Sequence, residues 1–475
     1  MIEIAVKDLL RATDAALVCG GTDRVCRGCA IDSREVGDGT VFVAFPGERV
    51  DGNDFAPQAV SAGAGAVVMT REPGDDLVAL ATDRDCAVLT VEDPEQFLLD
   101  LAHAWRERLD CTVIGITGSI GKTTTKDVLT AVLAERYRVW STKGNYNNLI
   151  GMPLTVLSAP ADTQMLVLEM GMNHFHEIER MSASANPAFA IVTKVGTSHI
   201  GILGSRENIA RAKAEIVSGM KASTEGASPL LILGGEDDFT PFIADGFARP
   251  AGVDVLLAGM SDDDAVKARD VRVDDEGRPV FELVLEDGSS VDTMLAIPGV
   301  QSVPNAVKAA ALGMRLGVTA NEVDHAFRSL KITGHRQEIR RARSGARIID
   351  DSYNASAESM AAGLDLLMSL ECEGARMAIL GEMGEMGDEA PRMHELVGAY
   401  AAAKKLDVLV CVGGDNARLM ADAARMMGMD EDRVQVLDDY KQVLERMGGA
   451  ISAADIVLVK GSRFVELDRF VEGVC

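Results

Sequence analysis

A phosphate-binding loop is the feature that most constrains what this chain can fold into. An apolar run from Cys111 to Ile116 predicts a buried strand, and a helical pattern runs from Lys126 to Arg136. The glycine turn between them lets backbone N–H groups approach an anion, and the start of a helix adds positive potential. Lys122 can reach the outer phosphates of a nucleotide, and the Thr123 hydroxyl can bind Mg²⁺. The stretch therefore predicts a nucleotide site at the end of a sheet.

This loop is shorter than the general pattern Gly-x-x-x-x-Gly-Lys-Thr. That pattern requires glycine at position 116, where this chain has Ile116. The sequence reads Thr-Gly-Ser-Ile-Gly-Lys-Thr from Thr117 to Thr123. It is a P-loop of a particular kind, which is the first indication against a generic nucleotide hydrolase.

Composition sets the broad class of protein. A length of 475 residues suits about three domains of roughly 150 residues each. The net charge of −26 argues against a nucleic-acid surface, because binding to phosphate backbones requires an excess of Lys and Arg. The eight cysteines lack the spacing of a metal site, so reduced thiols are expected. Without a visible signal peptide or an apolar run of about 20 residues, a cytoplasmic protein with no membrane span is predicted.

Alternating strand and helix patterns predict an α/β fold. Residues 1–92 mix short strands and helices, residues 93–331 contain the P-loop, and residues 332–475 form a second open α/β sheet. We predict three domains with these bounds. Within the second domain, residues 253–296 are rich in strands and in turns of Asp, Glu and Gly, which predicts a small antiparallel β insertion.

Several polar residues could bind a ligand or serve the fold alone. Glu169 ends a predicted strand beside the P-loop, where a carboxylate is a candidate Mg²⁺ ligand. The run Asp32–Arg34 could hold an acidic group or form a solvated turn. Asn147 and Asn148 suit a tight turn as well as a ligand at the mouth of a sheet. His199 also follows a strand end, whereas Lys213 by itself indicates a surface lysine with a buried stem.

Six segments that occur in order together resemble the Mur ligases. They are Thr117–Lys126, Gly144–Pro153, Glu169–Gly171, Val195–His199, Ala212–Ile216 and Asp350–Ala355. The resemblance covers nearly the whole chain, and it implies a small N-terminal α/β domain that binds a UDP-MurNAc-peptide. It also implies a central P-loop domain built on a parallel sheet and a C-terminal Rossmann-like α/β domain.

The resemblance implies an ATP-dependent amide ligase. A substrate carboxylate would attack the γ-phosphate of ATP to give an acyl phosphate, and an amine would then displace phosphate. First-domain motifs at Ile31–Arg34 and Asp51–Phe55 are most similar to members that add D-alanyl-D-alanine (D-Ala-D-Ala) to UDP-N-acetylmuramoyl-tripeptide (UDP-MurNAc-tripeptide). Both partners are small molecules, and a monomer is expected.

Three alternatives stay open. The chain could be a Mur-type ligase that adds another amino acid, or a P-loop NTPase that couples hydrolysis to conformational change. It could also be a non-catalytic nucleotide-binding partner. The presence of the complete set Lys122, Glu169, His199 and Lys213 argues against that alternative.

The resemblance also implies roles for individual residues. Two Mg²⁺ ions are expected, one held by Thr123 and Glu169 and the other by His199 and Lys213. In this family the matching lysine is carbamylated, so a carbamylated Lys213 is expected here. The residues implied to hold the phosphates of ATP are Gly118, Ser119, Gly121, Lys122, Thr123 and Thr124.

Other implied contacts come from the remaining domains. Arg336 would reach the phosphates of ATP from the third domain, so it joins Lys122, Glu169, His199 and Lys213 as a catalytic residue. The other residues implied to bind ATP are Asn305 at the adenine, Asp351 at the ribose and Tyr353 near the base. Those implied to bind the acceptor are Ser33, Arg34 and Asn148.

The chain departs from the family pattern at a few positions. Gln301 and Ser302 stand where a His-Asn pair is usual, and Phe175-His176 replaces Pro-Gly. Ser356 replaces Asn and Ala357 replaces Pro. These departures spare the phosphate and metal groups but leave the adenine pocket and the amine-substrate pocket undefined.

Overall fold

The computed structural model describes residues 1–47, 50–222, 226, 228–332 and 334–475. The first part of the chain contains one mostly parallel sheet. Its elements are β1 (Glu3–Ala5), α1 (Val6–Ala12), β2 (Ala16–Cys19), β3 (Val25–Arg27), β4 (Cys29–Ala30), β5 (Val41–Val43), α2 (Ala56–Ser61), β6 (Ala66–Met69), α3 (Asp75–Asp83), β7 (Ala87–Thr90) and α4 (Pro94–Arg106). The sheet has the order β2-β7-β6-β5-β4, with β2 antiparallel to β7.

The middle of the chain forms the largest sheet. Its elements are β8 (Thr112–Thr117), α5 (Lys122–Ala134), β9 (Val139–Ser141), α6 (Gly151–Leu157), β10 (Met165–Glu169), α7 (Glu177–Ala185), β11 (Phe189–Val192), α8 (Ile200–Leu203), α9 (Arg206–Ala214), β12 (Leu230–Leu233), α10 (Thr240–Ile243), β13 (Asp254–Gly259), β14 (Val266–Val273), β15 (Pro279–Val284), β16 (Ser290–Met294), α11 (Val303–Arg315) and α12 (Ala320–Ser329). The strands lie in the order β16-β15-β14-β13-β12-β11-β8-β10-β9.

Strand β8, which leads into the P-loop, lies between β11 and β10 and is parallel to both. Its side chains are buried on both faces: Ile114 and Ile116 pack with α5 and α11, and Val113 packs on the opposite side. A strand that is buried on both faces has a continuous run of apolar residues, and this run allowed β8 to be predicted from the sequence. Each such side chain contributes about 1.5–3 kcal/mol of burial free energy.

The last part of the chain forms the third large sheet. Its elements are β17 (Glu338–Arg341), β18 (Arg347–Asp351), α13 (Ala357–Ser369), β19 (Arg376–Gly381), α14 (Ala390–Ala403), β20 (Val408–Val412), α15 (Asp415–Met426), β21 (Val434–Leu437), α16 (Tyr440–Met447), β22 (Ile456–Lys460) and α17 (Leu467–Val474). The order is β17-β18-β22-β19-β20-β21, parallel except at β17.

Two sequence expectations are refined by the structure. The predicted β insertion is continuous with the central sheet, because β13 pairs in parallel with β12 on one side and with β14 on the other. Among the described strands of this sheet, the antiparallel pairs are β14 with β15 and β15 with β16. Helix α5 begins at Lys122 rather than at Lys126, and the run of β-branched threonines, which are poor helix formers, concealed its first turn.

The predicted domain bounds remain predictions. Helix α4 packs against α6 and α7 of the central part, as a start of the second domain near residue 93 would require. None of the helices in the described residues is long and apolar enough to cross a membrane.

Candidate active site

The P-loop joins β8 to α5, and its glycines are required by the geometry. Gly121 has a φ of +85°, in the left-handed region that favours glycine. A Cβ atom there would lie 2.6 Å from the Asn305 amide nitrogen, and a Cβ on Gly118 would overlap the Thr193 hydroxyl. The loop is therefore tightly enclosed, and the first turn of α11, which carries Asn305, lies directly against it.

The side chain of Lys122 folds back over the P-loop residues that precede it. Its Nζ donates to the Gly118 carbonyl at 2.8 Å and to the Ser119 carbonyl at 3.4 Å. Burial lowers the pKa of Lys122, while the nearby Glu169 carboxylate raises it. The ammonium is thus held in the loop by neutral carbonyls, close to a carboxylate.

Glu169 ends β10, beside the end of β8, and is almost fully buried. Its Oε2 accepts from the Thr123 hydroxyl at 2.9 Å, and its Oε1 accepts from the Asn147 amide at 2.7 Å. Asn148 instead turns to the start of α6, where its Oδ1 accepts from the Gly151 N–H at 2.8 Å. Of the paired asparagines, Asn147 is therefore the one that contacts the P-loop site.

Lys213 on α9 is completely buried. Its Nζ has no hydrogen-bond partner within the described chain. Burial, followed by the positive charge of Lys122, lowers the pKa of Lys213 well below its usual range. The result is an unpartnered amine whose charged form is disfavoured by burial and by the P-loop lysine, an arrangement typical of a functional rather than a structural lysine.

The part of the chain that forms the third large sheet packs against the loop that follows β11. The Glu358 carboxylate on α13 accepts from the Thr197 backbone N–H at 2.8 Å and from the Thr197 hydroxyl at 2.9 Å. His199 Nδ1 lies 2.9 Å from Glu385 Oε2, in the loop after β19. His199 lowers the pKa of Glu385. Two carboxylates from the last part of the chain thus approach the P-loop side of the central sheet.

Arg336 and Tyr353 lie together at this border. The Arg336 guanidinium carbon is 4.0 Å from the centre of the Tyr353 ring. The positive charge of Arg336 contributes to the lowered pKa of Lys122, which places it near the P-loop. Its Nε is buried and, among the residues described, unpartnered. Arg336 is therefore a cation close to the loop with donor capacity left for a ligand.

Asp351 forms a buried ion pair that was not predicted. Its Oδ2 accepts from Lys460 Nζ at 2.7 Å, and Lys460 also donates to the Asn354 carbonyl at 2.9 Å. The two residues end adjacent parallel strands, β18 and β22, at the same register position. Burial raises the pKa of Asp351, and Lys460 opposes that rise.

This pair carries a stability prediction. Lys460→Met should lower the free energy of unfolding by about 3–5 kcal/mol at neutral pH, because it leaves a buried carboxylate unpaired. The pKa of Asp351, already raised by burial, would rise further, so the folded state would bind a proton more tightly than the unfolded state. The loss should therefore grow as the pH increases from about 4 to neutrality. Urea unfolding across this range measures it.

The double variant Lys460→Met/Asp351→Asn is the control, since it removes the carboxylate as well. It should recover most of the stability and should lose the added pH dependence. Equal losses in the single and double variants would show that Lys460 stabilises the fold through packing and not through its charge.

Ser33 and Arg34 lie in the first part of the chain, where Ser33 is half-buried and Arg34 is exposed. The Arg34 guanidinium folds back onto Asp32, with Nε 2.9 Å from Oδ1, and this contact lowers the pKa of Asp32 to about 2. Ser33 donates to Gln58 at 3.3 Å. The contacts that the structure shows for these two residues are local to the first part of the chain.

The structure thus brings most of the candidate residues to one place. Thr123 and Glu169 touch, Lys122 lies within electrostatic reach of Lys213, and Arg336 approaches from the last part of the chain. Outside residues 48–49, 223–225, 227 and 333, no group of three or more His, Cys, Asp or Glu side chains is arranged as a metal site.

Sequence reasoning did not single out three residues that contact the candidate residues. A signal for one of them was present, since Lys460 ends a strand of the sheet that holds Asp351. Asn147 was a candidate together with Asn148, although only Asn148 was assigned to the acceptor. The glutamates 358 and 385 have no such signal, because their contacts arise only when separate parts of the chain dock.

The fold and site define a P-loop protein in which a second α/β unit packs beside the phosphate loop. Family models agree with this class along most of the chain. Residues 26–106 match the Mur ligase family catalytic domain, residues 116–313 match the Mur ligase middle domain, and residues 335–463 match the Mur ligase glutamate ligase domain. The chain belongs to the Mur ligase family, as predicted, and is a ligase.

Full-length relatives and solved structures agree with this assignment. The chain is 35% identical to the UDP-N-acetylmuramoyl-tripeptide–D-alanyl-D-alanine ligase of Bacillus subtilis, over 99% of this chain and 98% of the relative. The structure of MurF from Acinetobacter baumannii aligns with a TM-score of 0.86 at 28% identity, covering 99% of this chain and 98% of that one. MurF from Thermotoga maritima in complex with ADP aligns with a TM-score of 0.79 at 27% identity, covering 94% and 96%. The predicted α/β fold class is confirmed.

Proposed function

We propose that this chain is the ATP-dependent ligase that joins D-Ala-D-Ala to UDP-MurNAc-tripeptide in the synthesis of the peptidoglycan precursor. The observation that carries the proposal is the buried, unpartnered Lys213 amine beside the P-loop Lys122. A P-loop enzyme that only hydrolyses a nucleotide does not require a second buried amine near the phosphate loop. The full-length similarity to ligases of this name supports the choice of substrates.

The chemistry follows from the charges that must meet. A carboxylate cannot expel oxide, so it first takes the γ-phosphoryl group of ATP, and ADP leaves. The amine of D-Ala-D-Ala then attacks the carbonyl carbon of the acyl phosphate, and phosphate leaves. Two anions must approach each other in the first step. Lys122 and the backbone N–H groups of the loop offset their repulsion. The γ-phosphate offers Lys122 a charged acceptor in place of the loop carbonyls that it now contacts.

The residues present fit a magnesium site. Thr123 and Glu169 supply a hydroxyl and a carboxylate oxygen 2.9 Å apart, and both are oxygen donors that Mg²⁺ prefers. His199 and Lys213 would hold a second ion, provided that Lys213 carries a carbamate. Bound Mg²⁺ would supply charge neutralisation on the phosphate oxygens. The lowered pKa of Lys213 favours formation of the carbamate, since only the uncharged form of an amine reacts with carbon dioxide.

The other predicted residues complete the proposal. Asn305, which lies against Gly121, would contact the adenine. Arg336 would reach the phosphates, with Asp351 at the ribose and Tyr353 near the base. The residues proposed at the acceptor are Ser33, Arg34 and Asn148.

We also propose a cytoplasmic monomer. Each of the eight cysteines lies in a part of the chain that the structure describes, and there each is a free thiol. Free thiols are typical of a reducing compartment. All of the residues assigned above belong to one chain, so the proposed site needs no second copy.

The test is phosphate release by the purified protein with ATP, UDP-MurNAc-tripeptide and D-Ala-D-Ala together, and with each substrate omitted. We expect sustained release only in the complete mixture, together with a pentapeptide product detected by mass spectrometry. Equal ATP hydrolysis without either substrate would refute the ligase proposal. Turnover with another amino acid in place of the dipeptide, and none with D-Ala-D-Ala, would assign the chain to a different Mur-type reaction.

A further inference from the structure

The loop that follows β11, residues 194–199, is held from two sides. Its first two residues are bound by the central part of the chain. The Lys194 carbonyl accepts from the Ser119 N–H of the P-loop at 2.7 Å, and the Val195 N–H donates to Asp237 Oδ2 at 2.7 Å. Asp237 itself lies between β12 and α10. The start of the loop is therefore fixed by contacts within the central part.

The second half of this loop is bound by the last part of the chain. Both oxygens of the Glu358 carboxylate accept from Thr197, one from its N–H and the other from its hydroxyl. Two residues later, His199 lies beside Glu385, and the two have positive φ values of +66° and +63°. Residues other than glycine adopt that conformation at a cost in free energy, so the surrounding structure must hold them there. The conformation at His199 is thus maintained where the last part of the chain docks.

Glycines bring the two sides of the loop close together. A Cβ on Gly196 would lie 3.0 Å from Glu358 Oε1 and 3.4 Å from Ser119 Cβ. Further along, a Cβ on Gly201 would overlap the backbone of Gly387, which follows β19. Gly196 therefore lies between α13 and the P-loop, at the point where a shift of α13 would reach the loop.

We propose that Glu358 is a positioning residue, which fixes the loop at Thr197 and thereby places His199 beside the P-loop. Glu358 acts through the Thr197 backbone and hydroxyl. Because Thr197 precedes His199 by two residues, an ordered Thr197 restricts the backbone that carries the imidazole. The inference rests on the proposed function, in which His199 is a metal ligand, and it makes docking of the last part of the chain a condition for that role.

Hydrogen exchange of the full chain without ligands measures the order of this loop. Glu358→Ala removes both acceptors. Residues 195–201 should then exchange about ten- to hundredfold faster than in wild type, the effect of losing hydrogen bonds to a charged group. Glu358→Gln should stay within about threefold of wild type, because its Oε1 can still accept from the N–H and its Nε2 can donate to the hydroxyl.

Asp365→Ala is the matched control. Asp365 lies on the same helix, α13, and its carboxylate contacts the Tyr400 hydroxyl at 2.7 Å and Lys404 Nζ at 2.6 Å, both within the last part of the chain. Its removal should leave the exchange of residues 195–201 unchanged. An equal increase in Glu358→Ala and Asp365→Ala would mean a general loosening of α13 and would overturn the proposal. Unchanged exchange in Glu358→Ala would overturn it as well.

Kinetics separates positioning from stability. Glu358→Ala should lower kcat for peptide formation about tenfold and keep the KM for ATP within about twofold, because none of the residues proposed to bind ATP is altered. An unchanged kcat despite faster exchange would overturn the positioning role. If the wild type forms no peptide product, the proposed ligase function fails, while the exchange rates still decide whether Glu358 fixes the loop.

Discussion

Replacing Lys213 by alanine should lower the rate of ligation at least about a thousandfold, and added acetate or formate should restore part of it. The expected size follows from the loss of a metal ligand, since a bound ion contributes several kcal/mol of charge stabilisation to the reaction. The structure supplies the reason for the chemistry. The Lys213 amine is fully buried, its pKa lies well below the usual range, and the described residues offer it no partner.

Rescue by small carboxylates distinguishes a carbamate from a structural lysine. Alanine leaves a cavity that a short carboxylate can enter, bringing back an anionic oxygen ligand where the carbamate stood. Isotope-labelled bicarbonate provides a second measurement: its signal should appear in the NMR spectrum of the wild type and be missing from Lys213→Ala. Unchanged ligation by Lys213→Ala would rule out the role.

Lys308 offers a matched control. It is also a completely buried lysine of the central part, but its Nζ donates to Glu236 at 3.0 Å. Lys308→Ala should therefore destabilise the fold by leaving the Glu236 carboxylate without its cation. Carboxylates should not restore any activity lost in that variant, since its amine already has an anionic partner and does not need carbamylation.

Lys122→Met should reduce kcat/KM for ATP by about 10²–10³-fold, the usual effect of removing one charged donor from a preorganised anion site. Methionine keeps the apolar stem of the side chain but removes the ammonium. We expect the larger part of the loss in kcat, because the repulsion between the carboxylate and the phosphate is greatest in the transition state. Steady-state kinetics of phosphate release with saturating acceptor and dipeptide measures the split.

Lys194→Met serves as its control. The Lys194 side chain is exposed, and its backbone carbonyl accepts from the Ser119 N–H of the P-loop at 2.7 Å. Removing its charge should change kcat/KM by less than about twofold, because an exposed charge is screened by solvent. A similar loss in both variants would mean that general positive charge near the loop, and not the position of Lys122, supports the reaction.

Much of the fold could be predicted from local signals in the sequence. The apolar run at β8 and the glycines after it define the P-loop, because only glycine can occupy the conformation and the tight space at Gly121. The proximity of Thr123 and Glu169 could also be predicted from the sequence. Parallel strands expose their carboxyl ends at one edge, so a carboxylate that ends β10 must lie near a loop that leaves β8.

Side-chain partners across the fold were not predictable in the same way. Asp351 and Lys460 meet because β18 and β22 are neighbours, although more than a hundred residues separate them. Strand order in a parallel sheet depends on crossover connections that local patterns do not fix. Which of Asn147 and Asn148 faces Glu169 depends on the turn that they occupy, since adjacent residues point in different directions.

The sequence by itself determined the P-loop, the α/β fold and the resemblance to the Mur ligases, because these reside in short motifs and in hydrophobic periodicity. Only the tertiary structure decided how the last part of the chain meets that loop. Thr197 gains its partner Glu358, and His199 its neighbour Glu385, when two separately folded sheets dock. The tertiary structure also decided the lowered pKa of Lys213, since the charged form of a lysine is disfavoured where surrounding side chains exclude water.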